Sequence, residues 1–120
     1  MQKCILVVDD DDMNLMRTKR ILGKEYNVLF ASSGMEALKR LKTENVDLVL
    51  LDIEMPKMDG FETFERMKEF AAEIPVIFLT ASGLENDVRS AIKLGAVNYL
   101  KKPFQPQELV KRVAREFIKE

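Results

Sequence analysis

The sequence predicts a doubly wound α/β domain, in which one parallel sheet of five strands carries five helices on its two faces. Five short apolar segments alternate along the chain with segments whose apolar residues recur at helical spacing. The apolar segments are mostly uninterrupted, which is typical of strands buried on both faces of a parallel sheet. Right-handed crossovers between such strands place helices on both faces, and five strands are too few for an eight-stranded barrel.

The five predicted strands are the apolar segments themselves, each four or five residues long. The first, third and fourth are nearly continuous runs of Val, Ile, Leu and Phe, which suits strands covered on both faces. In chain order the predicted strands are Cys4–Val8, Val28–Ala31, Leu48–Leu51, Val76–Leu79 and Val97–Leu100.

Capping residues stand at the starts of three predicted helices. Asp11 and Asp12 can cap the first helix, because a carboxylate can accept hydrogen bonds from the free N–H groups of a first turn. Ser33 and Glu36 have the spacing of a capping box before the second helix. Asp59 can cap the third helix.

The last two helices have different boundary signals. Gly95 predicts that the fourth helix ends after Leu94, since glycine is favoured just beyond a helix. Pro106 fits the first turn of the fifth helix, where its missing N–H costs little. The apolar residues that recur every four positions in this helix are Leu109, Val113 and Phe117.

Composition limits both the architecture and the chemistry. With 120 residues, the chain is expected to form one domain over residues 1–120. Its 19 Lys and Arg against 20 Asp and Glu give a net charge of −1, which argues against direct binding of nucleic acid or a membrane through bulk charge. The absence of His excludes His bases, nucleophiles and metal ligands, so chemistry must rely on carboxylates, lysine, hydroxyls and a metal ion.

Two further features fit the reducing cytoplasm, which is the expected location. Cys4 is the only cysteine, so no internal disulfide can form. The apolar start of the chain is five residues long, which is too short for a signal peptide or a membrane span.

Chemically reactive side chains follow four of the five predicted strands. Asp9–Asp12 follow the first strand and Asp52 follows the third, while Thr80 and Ala81 follow the fourth. Lys101–Pro103 follow the fifth. Ligands of parallel α/β sheets bind outside the carboxyl ends of the strands. The strand order 2-1-3-4-5 gathers these groups at one edge, and it leaves outermost the second strand, which is followed only by Ser and Gly.

The gathered carboxylates predict a metal site. Asp9, Asp10 and Asp52 would lie close enough to repel one another strongly in a partly dry cleft. Lys102 supplies one positive charge, and a hard divalent cation supplies the rest. Mg²⁺ is the common choice for one or two carboxylates with phosphate, and the loop spacing of a calcium site is missing. Asp9 and Asp10 are expected to hold the ion, with the more direct bond from Asp10.

The same edge predicts phosphoryl chemistry. Asp52 is assigned as a nucleophile that forms an aspartyl phosphate, because it lies between the metal-binding acids and the hydrogen-bond donors. The Thr80 hydroxyl and the Ala81 N–H are expected to donate to phosphoryl oxygens. Lys102 is expected to pair with the Asp52 carboxylate before transfer and with the phosphoryl group afterwards, since this reaction needs mainly positioning and charge stabilisation.

Four segments, each weak evidence by itself, occur together and in order: Val7–Asp10, Leu51–Gly60, Leu79–Ala81 and Lys102–Phe104. In this combination the whole chain resembles the receiver domain of two-component response regulators, in the chemotaxis-regulator-like superfamily. The resemblance implies a flavodoxin-like fold. It also implies that Asp52 receives a phosphoryl group, with Mg²⁺, from a sensor histidine kinase or a histidine phosphotransfer protein, followed by slow self-dephosphorylation.

The resemblance implies further roles at the site. The main-chain carbonyl of Glu54 becomes a metal ligand, and the Lys102–Pro103 bond is cis. Thr80 moves towards the phosphoryl group and Tyr99 turns inward, so that the face of the fourth helix, fifth strand and fifth helix changes its partners. The downstream target is not specified, and a dimer linked to phosphorylation stays an alternative.

Residues beside the acid cluster predict where the kinase or phosphotransfer protein docks. Met13 supplies an apolar centre on the first helix, and Asn14 and Arg17 supply a polar rim. Phe104 adjoins them after the fifth strand. A helical bundle needs such an apolar centre with a polar rim, although Met13 could equally serve only packing.

Two other functions compete with the receiver interpretation. An aspartate-nucleophile phosphohydrolase of the haloacid-dehalogenase type uses the same residue types, but it needs a second Asp where this chain has Glu54, and we expect no room for its cap. A constitutive pseudo-receiver binding module would lack site residues, and the main ones are present. We therefore expect a stand-alone or excised receiver, which is a switch and not a turnover enzyme.

Overall fold

The computed structural model describes residues 2–81, 89, 93, 95 and 98–118. Its sheet has five parallel strands in the order β2-β1-β3-β4-β5, which confirms the predicted order. β3 and β4 run one residue further than predicted, because Asp52 and Thr80 still pair with the neighbouring strand. The strands are β1 (Cys4–Val8), β2 (Asn27–Ala31), β3 (Leu48–Asp52), β4 (Val76–Thr80) and β5 (Asn98–Lys101).

Four helices lie within the described residues. The fourth predicted helix, between β4 and β5, lies outside them except for isolated positions, as do its predicted last residue Leu94 and Val97. Gly95 is described and has a φ of 124°, which favours glycine. The predicted fifth helix is therefore the C-terminal helix α4. The helices are α1 (Asp12–Leu22), α2 (Gly34–Thr43), α3 (Gly60–Ala71) and α4 (Pro106–Phe117).

The predicted caps are present with two differences. The Asp11 side chain caps α1 by accepting from the Met13 N–H at 2.9 Å, whereas Asp12 is already the first helical residue. Asp59 caps α3 as expected.

The capping box of α2 is incomplete, which corrects that prediction. Ser33 accepts from the Glu36 N–H at 3.1 Å, but the Glu36 carboxylate accepts from the Ser32 N–H at 2.6 Å and not from that of Ser33. The carboxylate therefore stabilises the turn before the helix. It satisfies a donor one residue earlier than the box requires.

Separate apolar layers cover the two faces of the sheet. Leu6 and Val8 lie in one layer, and Ile5 and Val7 lie in the other, because alternate residues of a strand point to opposite faces. Every residue of β1, β3 and β4 is buried, whereas β2 is only partly buried, as befits an outer strand. Within the described part of the chain, no helix is long and apolar enough to cross a bilayer.

Strand register fixes which residues meet at the carboxyl edge of the sheet. Val8 pairs with Leu51, so the next residues along, Asp9 and Asp52, lie side by side. Thr80 pairs with Lys101 at the end of β5. The central strands are anchored on both faces, so this edge is a rigid base for the side chains that follow them.

Gly60 gives a first test of how closely α3 approaches this edge. A Cβ atom there would lie 2.5 Å from the Asp52 carbonyl oxygen and 2.7 Å from the Ile53 Cα. We expect Gly60→Ala to lower the free energy of unfolding by about 1–3 kcal/mol in urea denaturation, because main-chain atoms must move. Met35→Ala is the control and should change stability little, since Met35 is 53% exposed on α2. A Gly60→Ala variant as stable as the wild type would contradict this close approach.

Candidate functional site

Three carboxylates meet where β1 and β3 end. Each of Asp9, Asp10 and Asp52 offers an oxygen, and these oxygens lie within 4.8 Å of one another. Asp9 and Asp52 are buried, with 2% and 3% of their surfaces exposed, whereas Asp10 is exposed. The three acids lie close together, as the strand order predicted, and the fold places two of them inside the cleft and the third at its mouth.

Lys102 bridges the two buried acids. Its Nζ lies 3.3 Å from Asp9 Oδ2 and 3.3 Å from Asp52 Oδ1. The Lys102 N–H also donates to the carbonyl of Thr80 at 2.7 Å, which ties the residue after β5 to the end of β4. The adjoining Lys102–Pro103 peptide bond is cis, as the resemblance implied.

These charges shift the ionisation of the site. Burial raises the pKa of Asp52 from 3.8 to about 6; Lys102 opposes this shift and the Asp9 carboxylate adds to it. For Lys102, burial favours the neutral amine, but the carboxylates of Asp52 and Asp9 outweigh it and raise its pKa overall. At neutral pH the site therefore holds an ionised, partly dehydrated Asp52 carboxylate beside a charged Lys102 ammonium group.

The donor set fits a hard divalent cation. Both carboxylate oxygens of Asp9 have protein partners, since Oδ1 accepts from the Asp11 N–H at 3.0 Å and Oδ2 pairs with Lys102. Among the described residues, Asp10 makes no hydrogen bond or ion pair, so its carboxylate is available to a metal. Three carboxylates with oxygen-only chemistry suit Mg²⁺.

The two groups expected to bind phosphoryl oxygens have other partners in this structure. The Thr80 hydroxyl donates to the Ala81 carbonyl at 3.0 Å. The Ala81 N–H donates to Glu54 Oε1 at 3.2 Å. From the sequence, the Glu54 side chain is either a solvated charge or a group that acts on water near the phosphoryl group, and neither interpretation predicted this contact with Ala81. The Glu54 N–H donates to Asp52 Oδ1 at 3.3 Å.

Tyr99 lies in β5, which β4 separates from the strands that end at the acid cluster. It is half-buried, pairs with Phe78 across the β4–β5 ladder and packs against the same apolar layer. Arg112 of α4 donates to the Tyr99 carbonyl at 2.6 Å, so this helix is tied to the main chain of β5. The predicted fourth helix of the switching face lies outside the described residues.

Three of the four predicted docking residues line a cavity beside the acid cluster, and the fourth, Met13, is exposed on α1 outside that cavity. Met13 is 78% exposed on α1. Asn14, Arg17 and Phe104 line a cavity of about 320 Å³ between α1 and the loop after β5, and Met13 is not among its lining residues. The cavity wall also includes Thr18, which sequence reasoning missed because its spacing along α1 is that of a packing residue.

Comparison with known proteins gives a consistent family assignment. The family model for the response regulator receiver domain matches residues 5–114. The alkaline phosphatase synthesis transcriptional regulatory protein PhoP of Bacillus subtilis is 40% identical over 114 residues, covering 94% of this chain and 48% of that protein. The transcriptional regulatory protein CpxR of Klebsiella pneumoniae is 44% identical over 110 residues, covering 91% and 47%. The chain thus spans about half the length of these relatives.

Solved structures share the fold. A response regulator receiver domain protein from Clostridium thermocellum aligns with a TM-score of 0.88 and 33% identity, over 94% of this chain and 92% of that one. A CheY-like receiver domain protein from Methanospirillum hungatei aligns with a TM-score of 0.88 and 35% identity, over 97% and 94%. These neighbours cover almost the same length as this chain.

The raised pKa of Asp52 predicts a pH-dependent stability. Because its pKa of about 6 in the folded chain exceeds its ordinary 3.8, the folded protein binds more protons between these values than the unfolded chain does. Ionised Asp52 therefore costs stability above about pH 6, and the cost disappears on acidification. Without metal, we expect Asp52→Asn to be more stable than the wild type by about 1–2 kcal/mol at pH 7.5, allowing for solvent screening.

The greater stability of Asp52→Asn relative to the wild type should shrink towards pH 5. Urea denaturation of both proteins at pH 7.5 and pH 5 measures this change. Glu65→Gln on the exposed side of α3 is the control, since it removes one carboxylate charge far from the cleft. An advantage of Asp52→Asn that stayed constant or grew on acidification would contradict the assignment of the pKa shift to this residue.

Proposed function

The chain belongs to the response regulator receiver domain family, and we propose from this that it is a phosphoacceptor switch in which Asp52 receives the phosphoryl group. The observation that supports this most directly is the burial of the Asp52 carboxylate against Lys102, in a cluster with Asp9 and Asp10. A nucleophile in this position has a cation close beside it, together with two further acids that can hold Mg²⁺. The phosphoryl donor is a histidine kinase or a histidine phosphotransfer protein.

The transfer step follows from these groups. A carboxylate oxygen of Asp52 attacks the phosphorus of the partner's phosphohistidine, so that a P–O bond forms while the P–N bond breaks. The electron pair of the broken bond stays on the imidazole nitrogen. Lys102 then follows the negative charge from the Asp52 carboxylate to a phosphoryl oxygen, which its 3.3 Å position allows without a large movement.

Mg²⁺ would be held by Asp9, Asp10, Asp52 and the main-chain carbonyl of Glu54, and it would supply positive charge beside the phosphoryl oxygens. The Thr80 hydroxyl and the Ala81 N–H complete the set of donors once they leave their present partners. In self-dephosphorylation, water attacks the phosphorus, the P–O bond to Asp52 breaks and inorganic phosphate leaves. None of these steps needs a histidine of this chain.

In this proposal, residues 1–120 form the phosphoacceptor domain. Phosphorylation of Asp52 alters which partners bind a surface that lies away from Asp52. Thr80 moves towards the phosphoryl group, Tyr99 turns inward, and the face containing β5 and α4 exchanges its partners. The relatives named above are called transcriptional regulatory proteins, and this chain matches about half of their length. The output is therefore proposed to lie in whichever domain or partner protein contacts this face, without direct nucleic-acid contact by residues 1–120.

Acetyl phosphate tests the phosphoacceptor proposal. With Mg²⁺, we expect the wild type to gain the mass of one phosphate per chain, measured by intact-protein mass spectrometry. Chelation of Mg²⁺ and the substitution Asp52→Asn should each abolish this gain. Continuous turnover of a phosphomonoester without a labelled intermediate would instead favour a phosphohydrolase, and a wild type that never gains the mass would reject the proposal.

The docking surface has its own test, which uses two exposed methionines. Met13→Asp is expected to slow transfer from a phosphorylated histidine kinase by about tenfold, since a charge would replace the apolar centre of the interface. Labelling by acetyl phosphate should stay unchanged. Met35→Asp is the matched control, because Met35 is 53% exposed on α2 and lies outside the proposed surface. Equal losses with both phosphodonors would contradict the docking role of Met13.

A further inference from the structure

We propose that the Glu54 carboxylate restrains phosphorylation by occupying the Ala81 N–H that a phosphoryl oxygen must take. This inference rests on the proposed function and concerns the unphosphorylated state of the same site. The contact is a hydrogen bond of 3.2 Å between Ala81 N and Glu54 Oε1. It joins the loop after β3 to the residue after β4, across 27 positions of sequence.

Both partners of this hydrogen bond lie next to residues of the proposed phosphorylation site. Glu54 is the second residue after Asp52, and its own N–H donates to Asp52 Oδ1 at 3.3 Å. Ala81 directly follows Thr80, whose hydroxyl is also engaged, on the Ala81 carbonyl. Both donors proposed for the phosphoryl oxygens therefore have partners, and the partner of Ala81 is itself an anion beside the nucleophile.

Charge distinguishes Glu54 from the other acids of the site. Asp9, Asp10 and Asp52 bring oxygens together around the candidate metal position, and Lys102 pairs with two of them. Among the described residues, the Glu54 carboxylate is not one of the three that converge on the candidate metal position, and it forms no ion pair with Lys102. An incoming phosphoryl group is also negatively charged, and the Ala81 N–H to which it would bind is already hydrogen-bonded to the Glu54 carboxylate.

The Glu54 carboxylate and a phosphoryl oxygen therefore compete for the same Ala81 N–H. When a phosphoryl oxygen takes this donor, the Glu54 carboxylate must move to solvent, which its exposed position permits. Because coupling of two ligands at one donor is reciprocal, removing the internal anion must tighten binding of the external one. Glu54 is thus a positioning residue that sets how readily the site accepts a phosphoryl group.

Beryllium trifluoride, a phosphoryl analogue, measures this competition under saturating Mg²⁺. We expect Glu54→Ala to bind it about five- to tenfold more tightly than the wild type does, the gain of one freed hydrogen-bond donor. Glu54→Gln should fall between the two, since its amide oxygen still accepts from Ala81 but carries no charge. Glu65→Gln, which removes an exposed carboxylate on α3, should bind as the wild type does. None of these substitutions alters the Glu54 main-chain carbonyl.

The Ala81 amide resonance gives a readout without metal or ligand. In metal-free protein, Glu54→Ala should shift this resonance in the direction expected for loss of a hydrogen bond to a carboxylate, while Glu65→Gln should leave it in place. Wild-type protein that binds beryllium trifluoride while Glu54→Ala binds no more tightly would overturn this inference alone. Wild-type protein that fails to bind it would overturn the proposed function, and this inference with it.

Discussion

The ion pair from Lys102 to the buried carboxylates of Asp9 and Asp52 is the constraint on which the site depends. Two acids with almost no exposed surface lie at the end of a dry sheet, and one ammonium group 3.3 Å from each offsets their repulsion. One ammonium group does not fully offset the burial of the two carboxylates, since the pKa of Asp52 is still raised to about 6. The remaining negative charge is what makes the cleft suited to a divalent cation and then to a phosphoryl group.

The apolar sheet supplies the rigidity that holds these charges together. β1, β3 and β4 are buried along their whole length, so their ends cannot withdraw into solvent to relieve repulsion. Gly60 brings the start of α3 against the Asp52 main chain, and its N–H donates to the Ile53 carbonyl at 2.9 Å. The loop after β3 is therefore fixed close to Asp52, which determines where the Glu54 side chain can reach.

In the present structure, the hydrogen-bond donors at the ends of the strands are already in use. The Thr80 hydroxyl and the Ala81 N–H both have partners within the chain, so a phosphoryl group bound as proposed would replace existing bonds and would not fill vacant donors. Under the proposed function, the site would respond to phosphorylation by exchanging bonds at the ends of β3 and β4. The change at Asp52 would be electrostatic and local, and a movement of Thr80 would convey it towards β5 and α4.

The sequence by itself determined the fold class, the five strands, their order and the acids, hydroxyl and amine that meet at one edge. The strands follow from local patterns, since buried parallel strands are continuous apolar runs. Their order was inferred from the chemistry, because the order 2-1-3-4-5 brings the reactive strand ends to one edge of the sheet. Local pattern also predicted the Asp11 and Asp59 caps. It was wrong in detail at α2, where Glu36 accepts from Ser32, because one residue of loop geometry decides which N–H lies within reach.

Only the tertiary structure decided which carboxylates are buried and which donors are already taken. Asp9 and Asp10 are adjacent in sequence, yet one pairs with Lys102 inside the cleft and the other is exposed at its mouth. The bond from Ala81 to Glu54 depends on how two loops approach across the end of the sheet. No periodicity encodes such contacts, because they arise from the packing of segments far apart in the chain.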